Sequence, residues 1–442
     1  MYDVAVVGAG IAGLTVTYRL LDAGRNVICL EADQSAGGCV RTDHVGAFLC
    51  ERGAQNVLEE SGGPVFRLAS SLGISGEIQA AREKGNYIAW HERLFSMPSQ
   101  LLRVLSVRGA LRAARGFVAP SSPSDAGASV SSWATGRLGD EFARRIVDPM
   151  VCGVYAGDPD RLSLHATFPV ITEFERTHRS MLIAAFRSKS LKRSVYTFRN
   201  GMETLTSTLA RRIGPALRTG CKVSGVNRVG GRAYRVDGDG FTVEARSVVL
   251  ATPAYIAASL LSALDEKARR LLEGIRCVPV ASAALAFAAT DLISGPPKGY
   301  GFVRPYCDGS RILGCLFSSS AFDGFAPAKS VLIRVLFGGQ RHCEDAELPQ
   351  ERLADIAMRE LRPILHIHAQ ASPKVFHVVR HRPGLPQYEV GHVERVHAIE
   401  ERIARLPGLF LAGNSYRGLS VSKVVEDAER LSDNMLQRRV AA

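Results

Sequence analysis

Gly8, Gly10 and Gly13 stand on a G-x-G-x-x-G spacing, directly after the apolar run Asp3 to Val7 and at the head of a helical pattern from Ile11 to Asp22. Each glycine has its own physical reason. Gly8 permits a tight strand-to-helix turn, Gly10 lets backbone approach a pyrophosphate, and Gly13 lets the helix pack closely on the strand. The helix N-terminus then faces the phosphates, where unpaired N–H groups and the helix dipole favour negative charge. A second strand, Asn26 to Leu30, ends at Glu31, whose carboxylate can accept hydrogen bonds from a ribose hydroxyl pair. Strand, glycine turn, helix, strand and acid in that order predict a dinucleotide-binding unit.

Gly37, Gly38, Arg41 and Thr42 follow Glu31 directly. The string Gly-Gly-Cys-Val-Arg-Thr resembles the G-G-x-x-R-T segment of FAD enzymes in the amine oxidase superfamily, where the paired glycines pass close to the cofactor and the arginine lies along it. A glycine pair alone reads as an ordinary loop turn. Here both motifs occur in order, and no second G-x-G-x-x-G unit follows a strand, which argues against an NAD-dependent dehydrogenase.

A chain of 442 residues exceeds one ordinary core, so two or three domains are expected, and 46% apolar residues suffice to bury them. No run of about eighteen apolar residues occurs, and the opening segment lacks the basic flank and cleavage site of a secretion signal. The expectation is a cytoplasmic protein without a membrane span. Nine cysteines, at positions 29, 39, 50, 152, 221, 277, 307, 315 and 343, form no C-x-x-C pair and read as buried free thiols in a reducing compartment. His366 and His368 are explained by alternation along a strand, so no metal site is expected. The formal charge of +12 is spread over the chain without a basic cluster interleaved with aromatics, which excludes nucleic acid as a partner and leaves attraction to an anionic membrane open.

Along the chain, Phe48 to Asn56 reads as a strand ending in a glycine turn, Pro64 to Leu72 as a helix, and Tyr87 to Pro98 as a hairpin around His91-Glu92-Arg93. From Leu101 to Val118 a leucine face mixes with Arg103, Arg108, Arg112 and Arg115, ahead of a Pro-Ser-rich breaker at Pro120 to Ser124. Such a segment lies on a membrane surface or packs as an ordinary helix, and the ordinary helix is the default. Ser131 to Met150 reads as a further helix, closed by a loop from Val151 to Asp160. After Tyr196 to Met202 come a helix to Ile213, a strand around Lys222 to Asn227, and a hairpin with turns at Gly230-Gly231 and Asp237 to Gly240. The apolar run Val248 to Pro253 returns to the nucleotide-binding sheet. Val278 to His381 is rich in strand-type runs with one helix at Leu353 to Arg362. A helix at Glu394 to Leu406, a strand at Leu409 to Gly413 and a last helix complete the chain.

Several segments together resemble the oxygen-dependent protoporphyrinogen and coproporphyrinogen oxidases: Ser132 to Leu164, Tyr196 to Met202, Leu385 to Val396 with Pro-Gln-Tyr-Glu-Val-Gly-His, and Leu411 to Gly418 with Gly-Asn-Ser-Tyr-Arg-Gly. The resemblance implies an α/β chain, α+β overall. A Rossmann-like FAD domain is expected from residues 1–60, 196–275 and 394–442, a sheet-based substrate domain from 61–98 and 276–393, and an inserted helical domain at 99–195 that can contact membrane. It implies FAD contacts at Gly8, Gly10, Gly13, Glu31, Gly38, Arg41, Val223 and Gly413, with Val223 holding the adenine end through its backbone. It also implies a porphyrinogen as small-molecule substrate, molecular oxygen as electron acceptor and hydrogen peroxide as product.

Two departures bear on the substrate. Gly53-Ala54-Gln55-Asn56 stands where the family has Gly-Pro-Asn-Ser. Asn86, beside Tyr87, stands where the family tends to carry an arginine that pairs with a substrate propionate. The alternative is a flavin oxidase of the same fold acting on a C–C or C–N bond of a polycyclic secondary metabolite. A third reading, a flavoprotein that only binds partners, is disfavoured by the complete FAD motifs. No catalytic nucleophile or base stands out, and histidines 377, 381 and 392 read equally as structural.

Overall fold

The computed structural model describes residues 1–82, 85–119, 125, 127–177, 193–231 and 233–437, so the breaker expected at Pro120 to Ser124 lies outside the described residues. In chain order the strands are β1 (Tyr2–Val7), β2 (Val27–Leu30), β3 (Thr42–Val45), β4 (Phe48–Glu51), β5 (Val57–Glu59), β6 (Ile78–Ala80), β7 (Asn86–Trp90) and β8 (Arg93–Met97). They continue as β9 (Ser194–Phe198), β10 (Leu217–Arg218), β11 (Val223–Val229), β12 (Ala233–Gly238), β13 (Phe241–Leu250) and β14 (Cys277–Ala288). The last are β15 (Gly301–Val303), β16 (Ile312–Leu316), β17 (Ser330–Gly338), β18 (Val375–Pro386) and β19 (Leu409–Leu411).

The first sheet has the order β10-β2-β1-β13-β12-β11, with β19 beside β13. Its centre is parallel: β1 pairs with β2 and β13, and β13 with β19. Parallel strands are covered on both faces, and that is why Val-Ile-Cys-Leu and Ser-Val-Val-Leu read as continuous apolar runs. Alternation along β1 divides the burial. Val4 and Val6 face a core shared with helices Ile11–Asp22, Glu203–Ile213 and Val421–Gln437, while Ala5 and Val7 face one shared with Ala254–Leu260, Glu266–Glu273 and His392–Ala404.

The second sheet runs β18-β14-β17-β16-β15-β7-β8. One face buries Ala281, Ala283, Leu285, Ile333, Val335 and Phe337 against the helix Gln350–Leu365. The other meets two different neighbours. Ile88 and Val303 pack on the inserted helices through Val104, Ala113, Leu138 and Phe142, whereas Ala284, Ala286 and Leu332 pack on the hairpin β3–β4 through Leu49 and Cys50. A three-stranded sheet, β5-β9-β6, completes the strands.

The hairpin β7–β8 turns at His91 and Glu92, both at positive φ, and β11–β12–β13 form the expected antiparallel meander. Four local expectations are corrected. The helix foreseen over Ser131 to Met150 is broken at Gly139, whose φ of 95° does not fit a helix; it resumes at Asp140 and runs on past Met150 to Tyr155, so Val151 to Tyr155 is helical rather than loop. His366 and His368 are not on a strand: His366 ends the helix Gln350–Leu365 in the left-handed conformation. Cys39, Cys307 and Cys343 are exposed, while Cys29, Cys50, Cys152 and Cys315 are buried. The strand foreseen from Phe48 to Asn56 ends at Glu51.

The basic segment begins with a single-turn helix at Leu101–Val104 and continues as the helix Val107–Val118, capped by Ser106, whose Oγ accepts from the Gly109 N–H. Leu102, Val107, Leu111 and Val118 are exposed on it. Among the described residues no helix is long and apolar enough to cross a membrane.

Candidate functional site

The carboxyl ends of β2, β1, β13 and β19 lie side by side in that order, the edge of an open parallel sheet at which ligands bind. Gly8 leaves β1 at φ 98°, and a side chain on Gly13 would put its Cβ 1.9 Å from the Gly8 carbonyl oxygen, so the helix approaches the turn as closely as only glycine allows. A Cβ on Gly10 would meet nothing within 4 Å. That open space beside backbone N–H groups at a helix start is a cradle for a pyrophosphate. Gly37 joins the cradle by a bridge to Gly10, its N–H donating to the Ala9 carbonyl at 2.8 Å, and Gly38, at φ 56°, lies against the Gly10 Cα.

Glu31 reaches back over the turn. Its Oε2 accepts the Ala9 N–H at 2.6 Å and its Oε1 the Asp33 N–H at 3.0 Å. The chain from Arg218 to Val223 passes beside it: the Glu31 N–H donates to the Arg218 carbonyl at 2.9 Å and the Cys221 N–H to the Glu31 carbonyl at 2.7 Å. Val223 opens β11 two residues later. Arg41 leads into β3, its carbonyl accepting from the Arg52 N–H at 2.9 Å. Gly413 follows β19 at φ 119°, with open space where a Cβ would stand. Gly8, Gly10, Gly13, Glu31, Gly38 and Gly413 thus lie at or just past the carboxyl ends of the parallel strands, with Arg41 beside Gly37 and Val223 two residues beyond the Cys221 contact to Glu31, and the chemistry of the glycine turn suits a dinucleotide.

A family model for flavin containing amine oxidoreductases matches residues 11–436. The chain belongs to that family. It is an FAD-dependent oxidoreductase. Chloroplastic protoporphyrinogen oxidase 1 of Arabidopsis thaliana is 28% identical over 466 residues, spanning 96% of this chain and 86% of that protein. Coproporphyrinogen III oxidase of Bacillus subtilis is 25% identical over 458 residues, 96% of each. Among solved structures, a candidate protoporphyrinogen oxidase from Exiguobacterium sp. 255-15 has a TM-score of 0.85 at 23% identity and covers 99% of each chain, a likeness of fold.

In this flavin amine oxidoreductase the chain that follows the glycine turns meets the second sheet. The hairpin β3–β4 docks on it through His377, whose Nε2 lies 2.8 Å from Asp43 Oδ2, and through His381, whose Nε2 donates to the Arg52 carbonyl at 2.9 Å. That bond leaves His381 Nδ1 to face Cys39 Sγ, 3.9 Å away. Although Cys39 is exposed, the protein packed around its Sγ would by itself raise the thiol, but the hydrogen bond to His381 and its charge bring the net value below the ordinary one. Glu51, buried at the end of β4, accepts from Met202 N–H at 2.7 Å and from Thr42 Oγ1 at 2.9 Å, and burial pushes its carboxyl up to about 7.

Asn86 and Tyr87 do not share a face. Tyr87 packs with the Phe302 and Ala89 core under the helix Gln350–Leu365, whereas Asn86, exposed, lies on the side of Ile88. Neighbouring strand residues point to opposite faces, so a ligand on one wall meets only one of the two.

The Pro-Gln-Tyr-Glu-Val-Gly-His string acts as a brace. Tyr388 Oη donates to the Asn414 carbonyl at 2.6 Å, and His392 Nε2 donates to the Tyr416 carbonyl at 3.1 Å with its ring stacked on Tyr388 at 4.1 Å. Burial pushes the His392 imidazole down to about 4, which keeps it neutral and fixes the Nε2–H tautomer as donor. Sequence reasoning had left His392 undecided and passed over Arg334 and the Cys39–His381 pair, because their partners are far away in the chain.

Proposed function

We propose that this protein oxidises a porphyrinogen to a porphyrin at the junction of its two large sheets. The carrying observation is the brace from Tyr388 and His392 to Asn414 and Tyr416, because it joins the two strings that resemble the porphyrinogen oxidases to each other beside Gly413. The relatives that match nearly the whole chain support the same reading. A bound FAD would supply a hydride acceptor facing the substrate carbon in repeated two-electron rounds, with a proton lost from the substrate in each and oxygen reduced to hydrogen peroxide as the reduced cofactor is reoxidised.

The chain's own residues bind, orient and exclude water. Gly8, Gly10, Gly13, Gly38 and the start of the helix Ile11–Asp22 hold the pyrophosphate, Glu31 the adenosine ribose, Val223 the adenine end, and Arg41 and Gly413 the flavin-side segments. The helix Val421–Gln437 starts a few residues beyond Gly413 and directs its positive end toward that region, which favours an anionic reduced cofactor. The reading divides the chain into the FAD domain, the substrate domain and the inserted helical domain bounded as above. The exposed leucines and arginines of Leu101 to Val118 give the helical domain a face for anionic lipid, at the periphery of a membrane.

A second reading keeps the flavin and the fold but replaces the tetrapyrrole by another polycyclic metabolite. Asn86 favours it, because a cation for a propionate is missing there. Anaerobic mixing of the FAD-loaded protein with protoporphyrinogen and coproporphyrinogen separates the two: bleaching of the flavin, followed by porphyrin fluorescence above the spontaneous background on admission of air, is the expected result. No bleaching, with flavin that dithionite still reduces, rejects the porphyrinogen.

A further inference from the structure

The face of the second sheet that carries Asn86 also carries a cation that neither the cofactor turn nor the brace uses. Strand register places Asn86, Gly301, Leu316, Arg334, Ala284 and His377 in one row across β7, β15, β16, β17, β14 and β18. Paired residues in a sheet point to the same face, so Arg334 shares the wall with Asn86, three strand spacings or about 14 Å away. It is 5% exposed. Its Nε donates to Ser282 Oγ at 2.5 Å and one Nη donates to the Arg52 carbonyl at 3.4 Å, both neutral acceptors.

The nearest charge of opposite sign does not complete it. Arg334 feels Glu51, but the Glu51 oxygens are engaged by Met202 N–H and Thr42 Oγ1. Among the described residues no carboxylate makes an ion pair with the Arg334 guanidinium. The surroundings add donors instead of acceptors. Gln55, 3% exposed, accepts the Ser318 hydroxyl at 2.9 Å through Oε1 and leaves its Nε2 buried without a partner. Tyr300, half-buried and in contact with Asn56 Nδ2, stands near Arg334.

A buried guanidinium without an anion and a buried amide without an acceptor are each costly. A planar pair of anionic oxygens satisfies both. We propose that Arg334 and the Gln55 amide form a carboxylate subsite on this wall, which holds an acidic side chain of the substrate in place of the cation missing at position 86. The identification of that carboxylate with a porphyrinogen side chain rests on the functional reading above.

The test uses FAD-loaded protein, titrated with protoporphyrin and its dimethyl ester by fluorescence and with benzoate and benzamide by the change in flavin absorbance. The wild type is expected to prefer each acid over its neutral counterpart by roughly tenfold. Arg334→Gln removes the preference, Arg334→Lys keeps part of it, and Gln55→Leu, which leaves the guanidinium in place, reduces it severalfold. Equal preference in wild type and in folded, flavin-loaded Arg334→Gln overturns the subsite. If Arg334→Gln does not fold, an unchanged preference in both Arg334→Lys and Gln55→Leu overturns it. A benzoate preference lost in Arg334→Gln, with no binding of either porphyrin to the wild type, supports the subsite and rejects the porphyrinogen. Absence of any acid preference in the wild type overturns the proposal outright.

Discussion

At the end of the first sheet the chain offers backbone: glycine turns, a helix start and open space where side chains would stand. The wall of the second sheet offers side chains, Asn86 and Arg334 in one row, with Ser282 and the docking histidines 377 and 381 on neighbouring strands. The first surface tolerates little change because its shape is the backbone itself. The second is rebuilt by single substitutions, since each polar group projects from a strand whose register is held by apolar neighbours. A family that keeps one cofactor and changes substrates is expected to hold the first constant and vary the second.

The sharpest way to break this contrast is to add a side chain to the glycine turn. In Gly13→Val the new Cβ falls 1.9 Å from the Gly8 carbonyl, and complete loss of bound FAD is expected by absorbance after gel filtration. Gly10→Ala meets no protein atom within 4 Å, so its thermal stability should stay near wild type while FAD affinity falls. Wild-type FAD affinity in Gly10→Ala would show that the space belongs to no ligand.

The buried acid at the end of β4, in the hairpin that docks on the second wall, gives a pH signature. Burial raises Glu51 from 4.5 to about 7, so the folded state holds its proton more tightly. That contribution is fully present below pH 4.5 and lost as pH rises through about 7, a change of about 3 kcal/mol at most. Glu51→Gln should flatten the stability profile over that range in chemical denaturation. A slope identical to wild type would place the titration elsewhere.

Asn86→Arg tests the wall at the position where the family carries a cation. Tighter porphyrinogen binding, by about 1.5–3 kcal/mol as a lower KM, is expected if the pocket takes a tetrapyrrole carboxylate there. Weaker binding means that the guanidinium is left unpaired among apolar groups, and it would favour the other metabolite.

Glu31→Ala removes both the predicted ribose contact and the bond to Ala9 N–H. Retained flavin after dialysis should fall, with a cost on the order of 1–3 kcal/mol for losing a hydrogen bond to a charged acceptor. Undiminished retention in a folded variant would separate Glu31 from the cofactor. The smallest effect is expected at the basic helix: anionic vesicles should retain the protein at low salt and release it as salt is raised, in step with screening. No retention at low salt leaves Val107–Val118 as an ordinary surface helix.

The strand, the glycine turn, the helix Ile11–Asp22, the acid at Glu31 and the flavin family were legible in the amino-acid order, because these depend on residues close together in the chain. That order located the hairpin β7–β8 and the meander β11–β12–β13 for the same reason: turn glycines and alternation are local signals. It misjudged Cys39, whose exposure depends on where the hairpin β3–β4 docks, and it grouped Tyr87 with Asn86 because adjacency in sequence hides the alternation of faces. Arg334 stands as a lone charge in the apolar run Val331 to Phe337 and carries no local signal of a site. Only the register of β17 against β14 and β16 sets it beside Ser282 and in line with Asn86, since strand pairing brings together residues hundreds of positions apart by backbone hydrogen bonds that no local pattern encodes.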